Sequence, residues 1–191
     1  EHWADGYLDQ LVEWGVMRAD QTSDPDAPLT RAEFMAVINR AYGYNKTGPI
    51  PFEDVNRGDW FYDDVSIAYT AGYTLGTSAT TFHPNATLNR EQAVCILARN
   101  MMMKETPGEN LAFSDARNIS DWARGLVKTA VDHYIVNGYP DGSFGPQDVI
   151  SKGQMASMLV GCLGTPLNQA GEYTLGDGYG NVTITASGVT L

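Results

Sequence analysis

Three cations recur at equivalent places in the chain, and their type and spacing suit the binding of an anion. Arg31, Arg90 and Lys152 each follow a hydrophobic residue and a Thr, Asn or Ser, and each stands two positions before a Glu or Gln. This pattern is a capping box, in which the polar side chains satisfy free N–H groups at the start of a helix. Since that end of a helix favours acids over cations, a cation repeated there indicates a role other than helix formation.

The chemistry that these cations support is recognition of a carboxylate. The planar guanidinium of arginine holds a carboxylate through two parallel hydrogen bonds, whereas the lysine ammonium acts as a single point charge. We also expect unpaired N–H groups at the helix start to add to the anion-binding field. Arg31 and Arg90 are therefore the stronger candidate ligand-binding residues, and Lys152 is the weaker one.

The elements that carry these cations belong to an internal repeat. Trp3, Trp60 and Trp122 each open a segment whose apolar residues have the spacing of one helix face, followed by a glycine-rich loop and the capping box. From the Trp to the hydrophobe of the box is 28 residues in the second and third copies (60 to 88, 122 to 150) and 26 in the first (3 to 29). The helix after each box has apolar residues at i, i+3, i+4 and i+7, which predicts a face that packs in the core.

The loop residues of the repeat allow both structural and functional interpretations. Gly76 and Gly138 supply either a positive φ in a tight turn or a close approach of backbone N–H to a ligand. Asp141 caps its own turn in the favoured interpretation and contacts ligand in the other. Asp54 and Asp115, each in a Phe-x-Asp segment before a Trp, are expected to cap the chain where it enters the first helix.

Composition excludes several classes of function. The formal net charge of −11 argues against a nucleic-acid partner and against binding to an anionic membrane surface, and no apolar run is long enough to span a bilayer. Cys95 and Cys162 are predicted to be buried thiols rather than a disulfide. The three histidines lack metal-ligand spacing, so we expect no metal and no cofactor.

The repeats span residues 1–46, 47–105 and 106–164, and the pattern of polar and apolar residues changes after them. Residues 172–175 and 181–186 alternate polar and apolar types around a glycine-rich turn, which predicts strands at the start of a truncated β domain over 165–191. The first copy lacks the Phe-x-Asp segment, and we expect the natural protein to have one upstream of Glu1.

The repeat resembles the S-layer homology module of bacterial cell-surface proteins. The resemblance covers residues 1 to about 164 and rests on elements that recur in order. They are Phe52-Glu53-Asp54-Val55, Trp60, Gly72 and Gly76, Phe82-His83-Pro84, and Thr30-Arg31-Ala32-Glu33.

This resemblance implies a mainly α fold, in which three helix-loop-helix repeats surround a central three-helix bundle with pseudo-threefold symmetry and a short β tail follows. It implies an extracellular, non-catalytic module that binds secondary cell wall polysaccharide, through a pyruvylated amino sugar, in grooves between repeats. It also assigns Trp60 and Trp122 to the grooves as sugar platforms, although a core or staple role fits the sequence equally well. We expect this fragment to be monomeric.

Two other functions remain open at this stage. A carbohydrate-active enzyme would need two opposed carboxylates at a defined separation, and the recurrent acids here stand at cap-like positions. A protein-interaction or structural adaptor of a surface protein would present a large exposed apolar patch. The sequence leaves open the glycan and which of the three grooves function.

Overall fold

Residues 2–164, 171–172 and 189–190 of the 191-residue chain are described by the computed structural model. This portion is mainly helical, as predicted. The α-helices are α1 (Asp5–Glu13), α2 (Arg31–Tyr42), α3 (Tyr62–Ala71), α4 (Arg90–Asn100), α5 (Asp121–Asp132) and α6 (Lys152–Leu163). Single 3-10 turns occupy Ala19–Gln21 and Ala116–Asn118, and the short strands β1 (Gly171–Glu172) and β2 (Val189–Thr190) pair in parallel. Apart from Glu172, the strands predicted over 172–175 and 181–186 lie outside the described residues.

The three predicted capping boxes are all confirmed, and they set the start of α2, α4 and α6. At α2 the backbone N–H of Glu33 donates to the Thr30 hydroxyl at 3.2 Å, while the Glu33 carboxylate accepts the backbone N–H of Thr30 at 2.8 Å. The same reciprocal pair of bonds joins the cap residue and the third helical residue of the other two helices. Each of these helices therefore begins at the cation itself.

Each capping-box helix packs on the first helix of the next repeat. α2 packs on α3 and α4 packs on α5, while α6, the last helix of the third repeat, packs on α1 of the first. This order closes the three repeats into a ring, so that every repeat contacts both others. The closed order confirms the predicted pseudo-threefold arrangement.

A cycle of backbone hydrogen bonds marks the centre of this ring. The N–H of Leu29 donates to the carbonyl of Ile150 at 3.4 Å, that of Ile150 to Leu88 at 3.0 Å, and that of Leu88 to Leu29 at 3.4 Å. All three side chains are buried, which places the residue before each capping box on the axis. The helices that follow, α2 and α4 above all, are buried on almost every side, as expected for the central bundle.

Candidate functional site

The cations lie at three junctions between repeats, one at the start of each central helix. The first junction joins the start of α2 to the second repeat, the second joins the start of α4 to the third repeat, and the third joins the start of α6 to the first repeat. At the second junction the N–H groups of Arg90 and Glu91 donate to the carbonyls of Asp148 and Pro146 at 2.9 and 3.1 Å. The equivalent bonds are Arg31 to Ala86, Ala32 to Pro84, Lys152 to Ala27 and Gly153 to Pro25.

The expectation of unpaired N–H groups at these helix starts is therefore wrong. The first two N–H groups of each helix bond to carbonyls of the neighbouring repeat, and the third bonds to the cap side chain. The sequence pattern missed this because the acceptors lie 52–58 positions away at the first two junctions and near the other end of the chain at the third. Any anion at a junction must be held mainly by side chains.

At the first junction Arg31 is buried against an aromatic ring of the second repeat. Its Nε donates to the carbonyl of Phe82 at 2.8 Å, and its guanidinium carbon lies 4.7 Å from the centre of the Phe82 ring. Burial lowers the pKa of Arg31, an effect that the nearby Asp54 opposes, but a guanidinium remains charged. The ring and the carbonyl thus fix the plane of the cation.

At the second junction Arg90 has the same role with a different set of contacts. Its Nη2 donates to the carbonyl of Asn137 at 2.6 Å, and its guanidinium carbon lies 4.7 Å from the ring centre of Tyr139 and 5.2 Å from that of Phe144. Burial lowers the pKa of Arg90, while Tyr139 and Asp148 act in the opposite direction. Its buried Nε has no hydrogen-bond partner among the residues that the structure describes.

The outer nitrogens of both arginines differ from that buried Nε. Three of these nitrogens make no protein hydrogen bond within the described ranges, namely Nη1 and Nη2 of Arg31 and Nη1 of Arg90. Unlike Nε of Arg90, none of the three is fully buried. Arg31 and Arg90 are 5% and 6% exposed, so these nitrogens have only slight contact with solvent. An arginine edge that is charged, fixed and partly free is suited to a carboxylate from outside.

The third junction is built differently. Lys152 is half-buried, and in the described portion of the chain its side chain makes no hydrogen bond, ion pair or aromatic contact. Ser23 occupies the place that Phe82 and Phe144 hold in the other loops, six positions before the hydrophobe of the box, and Ala19 stands where Gly76 and Gly138 stand. Within the part of the chain that the structure describes, the loop of the first repeat therefore offers no phenylalanine to this cation.

The tryptophans lie on the surface rather than in the core. The exposed fraction is 57% for Trp3, 64% for Trp60 and 50% for Trp122. At the third junction, a Cβ placed on Gly153 would lie 3.5 Å from Cζ2 of Trp3. This Trp therefore adjoins the start of the central helix α6. α2 packs on α3 and α4 on α5 in the same order, and Ser120, two residues before Trp122, bonds to Glu91 at the start of α4. The core interpretation is thereby excluded, and the three rings are available to a ligand.

The two loop glycines are required by contact with an aromatic ring. A Cβ on Gly76 would lie 2.5 Å from Cε1 of Phe52, and one on Gly138 would lie 2.6 Å from Cε1 of Phe113. Gly76 also has a positive φ of 78°, which is a second reason for glycine at this position. The expected positive φ is wrong for Gly138, where contacts with the Phe113 ring and with the Ser143 carbonyl demand glycine.

The Phe-x-Asp segments anchor the loops and do not cap helices, which corrects the expectation for Asp54 and Asp115. The carboxylate of Asp54 accepts the N–H groups of Phe82 and His83 at 2.9 and 2.7 Å. Asp115 accepts those of Phe144 and Gly145 at 2.8 and 2.9 Å. Desolvation alone would raise the pKa of Asp54, but these two N–H donors lower it. Both carboxylates hold the loop that presents a phenylalanine to the cation.

Asp141 caps its own turn, as the favoured interpretation had it. Its Oδ1 accepts the hydroxyl of Ser143 at 2.6 Å and the backbone N–H of the same residue at 2.9 Å. These bonds lower the pKa of Asp141, the hydroxyl contributing most. The side chain is exposed, so a ligand can reach its second oxygen.

One residue at the second junction was missed by sequence reasoning. Glu91 is only 2% exposed, and its carboxylate accepts hydrogen bonds from Ser120 and from the side chain of Gln147. The signal was present in the alignment of the repeats, where Ala32 and Gly153 occupy the same place. An acid in the first turn is typical of ordinary dipole compensation, which concealed it.

Other features of the described ranges can be stated briefly. Cys95 and Cys162 are free and buried, as predicted, and burial raises the pKa of each thiol to about 12. Within 2–164 and the two short strands, no group of three or more His, Cys, Asp or Glu is placed to hold a metal ion. None of the helices described has the length and apolar character to cross a membrane.

The ring of repeats, with matching elements contributed from both sides of each junction, defines a cyclic helical repeat module. The sequence model of the S-layer homology domain matches residues 51–94 and 112–156, so these repeats belong to the S-layer homology family. This membership makes the matched repeats a surface-anchoring module and confirms the predicted localisation at the extracellular cell surface.

Several curated proteins are similar to the chain over most of its length. An amylopullulanase of Thermoanaerobacterium thermosulfurigenes is 32% identical over 170 residues, which are 85% of this chain and 9% of that protein. Exoglucanase XynX of Acetivibrio thermocellus is 29% identical over 170 residues, 85% of the chain and 16% of that protein. A surface-layer 125 kDa protein of Lysinibacillus sphaericus is 30% identical over 133 residues, 69% of the chain and 11% of that protein. The chain thus spans a small fraction of each of these relatives.

Proposed function

We propose that residues 1–164 form a non-catalytic anchor of three S-layer homology repeats, at 1–46, 47–105 and 106–164. The anchor binds secondary cell wall polysaccharide at its junctions, through the carboxylate of a pyruvylated amino sugar. The chain acts as a monomer. The observation that carries this proposal is an arginine held flat between repeats, with an outer nitrogen that bonds to no described residue, together with an exposed tryptophan on the helix that packs on the same central helix.

The proposed ligand contacts follow from the chemistry of each side chain. Arg31 and Arg90 bind the ketal carboxylate, because each guanidinium has its plane fixed by stacking and keeps some of its donor edge free. Trp60 and Trp122 pack their faces against the apolar C–H surface of the sugar. Gly76 and Gly138 allow close approach of the loop backbone, Asp141 offers its free oxygen to a hydroxyl, and Lys152 attracts the anion without orienting it.

The negative net charge does not contradict an acidic ligand. Repulsion between exposed charges is screened beyond about 10 Å at ordinary ionic strength, whereas a few donors at contact distance determine binding. The two arginines lie in partly dehydrated surroundings, 5% and 6% exposed, where a charge pair is stronger than in water.

The decisive test is calorimetric titration of the purified chain with pyruvylated wall polysaccharide, alongside the same polysaccharide after removal of pyruvate by mild acid. We expect binding of the first and a loss of at least about tenfold in affinity for the second, the scale of a charge-assisted contact. The Arg90→Lys variant keeps the charge and removes the fork, so it is the matched control for bidentate recognition. Absence of binding by the parent chain would reject the proposal. Equal binding of both polysaccharides would reject the pyruvate contact alone.

A further inference from the structure

Glu91 is a buried carboxylate that only the second junction contains. Its residue is 2% exposed, and among the ion pairs of residues 2–164 none includes it. The first and third junctions carry Ala32 and Gly153 at the same place, so the helix start does not need an acid there. Because removing a carboxylate from water is costly unless its oxygens are well satisfied, the bonds that Glu91 makes must be good ones.

Among the described residues, every hydrogen bond to the Glu91 side chain comes from the third repeat. Oε2 accepts the backbone N–H of Ser120 at 2.9 Å, and Oε1 accepts the Ser120 hydroxyl at 2.7 Å and Nε2 of Gln147 at 2.9 Å. Oε1 of Gln147 in turn accepts Nδ2 of Asn89 at 2.8 Å. The carboxylate thus ties two separate segments of the third repeat to the start of α4.

Those two segments form the two sides of the second junction. Ser120 directly precedes α5, and the exposed Trp122 is the second residue of that helix. Gln147 lies between Pro146 and Asp148, whose carbonyls accept the N–H groups of Glu91 and Arg90. Fixing both segments to one carboxylate fixes where the tryptophan stands relative to the arginine.

We infer that Glu91 is a positioning residue, which clamps the start of α5 and the Gln147 loop so that Trp122 and Arg90 are preorganised for one sugar. This inference rests on the proposed function. Glu91 does not touch the ligand, because it is buried and both of its oxygens are occupied by Ser120 and Gln147. The first junction lacks the clamp, so its tryptophan must be ordered during binding, and the second junction binds the same sugar more tightly.

The test follows the two junctions separately in one sample by NMR. The four indole N–H signals of the ¹⁵N-labelled chain are assigned with single Trp→Phe variants, so that Trp60 reports the first junction and Trp122 the second. The titrant is the methyl glycoside of a pyruvylated N-acetylhexosamine. In Glu91→Ala, which reproduces the Ala32 arrangement, we expect affinity at Trp122 to fall about tenfold while affinity at Trp60 stays unchanged.

Two further measurements separate positioning from general stability. Exchange of the Ser120 amide proton is expected to accelerate in Glu91→Ala, because its acceptor has been removed, while the unchanged Trp60 titration verifies that the variant is folded. Glu91→Gln retains one acceptor oxygen and is expected to give an intermediate loss of about threefold.

The outcomes distinguish this inference from the proposal that it rests on. Equal affinity at Trp122 in the parent chain and in Glu91→Ala overturns the positioning role and leaves the anchoring proposal intact. Equal weakening at both reporters overturns it as well, since the effect is then one of stability. Failure of the parent chain to bind the glycoside at either reporter overturns the pyruvylated ligand itself, whatever Ser120 does.

Discussion

The second and third junctions occupy equivalent places in the ring and differ in what the neighbouring repeat offers to the cation. At the second, Arg90 stacks on Tyr139 and Phe144, whereas at the third Lys152 meets a loop that has Ser23 in place of the phenylalanine. The first junction resembles the second, with Arg31 over Phe82. Arginine thus occurs where the next loop supplies a ring and lysine where it does not. The functional unit is a junction made from two consecutive repeats.

The largest expected effect comes from removing the ring at the second junction. Phe144→Ser copies Ser23 into a loop whose phenylalanine is fully buried, so we expect the free energy of unfolding to fall by about 3–5 kcal/mol, as for other large-to-small core changes. Urea denaturation followed by circular dichroism measures it. The control Ser23→Ala should change stability by less than about 0.5 kcal/mol, because that side chain is exposed. Similar effects of the two changes would refute the difference between the junctions.

Removing the cation should weaken ligand binding more at the second junction than at the third. We expect Arg90→Ala to weaken binding of pyruvylated wall polysaccharide by about tenfold or more, since a fixed charge-assisted contact is lost. Lys152→Ala should weaken it less than about twofold, because an unstacked lysine contributes only as a point charge without fixed orientation. Calorimetry on the two variants measures both losses, and a larger loss for Lys152→Ala would reverse the assignment.

A smaller effect is expected where Asp54 anchors the loop of the second repeat. Asp54→Asn leaves an amide that can accept only one of the N–H groups of Phe82 and His83, and should cost about 1–2 kcal/mol of unfolding free energy near neutral pH.

The same variant has a defined dependence on pH. Because the pKa of Asp54 is lower in the folded than in the unfolded state, its stabilisation is present above the unfolded value of about 3.8 and disappears as pH falls through the folded value. The difference between parent and variant should therefore shrink on acidification below about pH 4. Urea titrations at a series of pH values measure it, and a difference that grows towards low pH would contradict the loop-anchoring role.

The smallest effect would rebuild the third junction. Lys152→Arg combined with Ser23→Phe supplies both the planar cation and its ring, and should add about 0.5–1 kcal/mol of cation–π energy together with a gain in affinity at that junction. Lys152→Arg alone should give no gain. Affinity measured for the single and double variants gives the coupling, and an equal gain from the single change would show that the ring is unnecessary.

The features that could be predicted from the sequence are those set by residues close together in the chain. The capping boxes, the helix faces and the repeat follow from spacing alone, and Thr30 and Glu33 behave as the pattern requires. The cation was singled out by its conflict with the helix dipole, and its role in binding stays a prediction. The resemblance then supplied the arrangement in space.

What could not be predicted depends on contacts between repeats. The burial of Arg31 and Arg90 requires rings that lie some 50 positions further along the chain, and the N–H groups that donate to Asp54 lie 28 and 29 positions away. Nothing in local periodicity reports such partners. Glu91 was overlooked for the same reason, since its bonds all reach the third repeat.

The cycle of hydrogen bonds through Leu29, Leu88 and Ile150 has a mechanical consequence. A pull on the chain beyond Gly164 acts first on α6, which packs on α1, so the load passes to the repeat furthest away in sequence. No repeat can peel away without opening two of the three bonds at the axis and two junctions. Repeats strung in a line would separate singly under tension, whereas this ring must yield as one unit, a property suited to a tether.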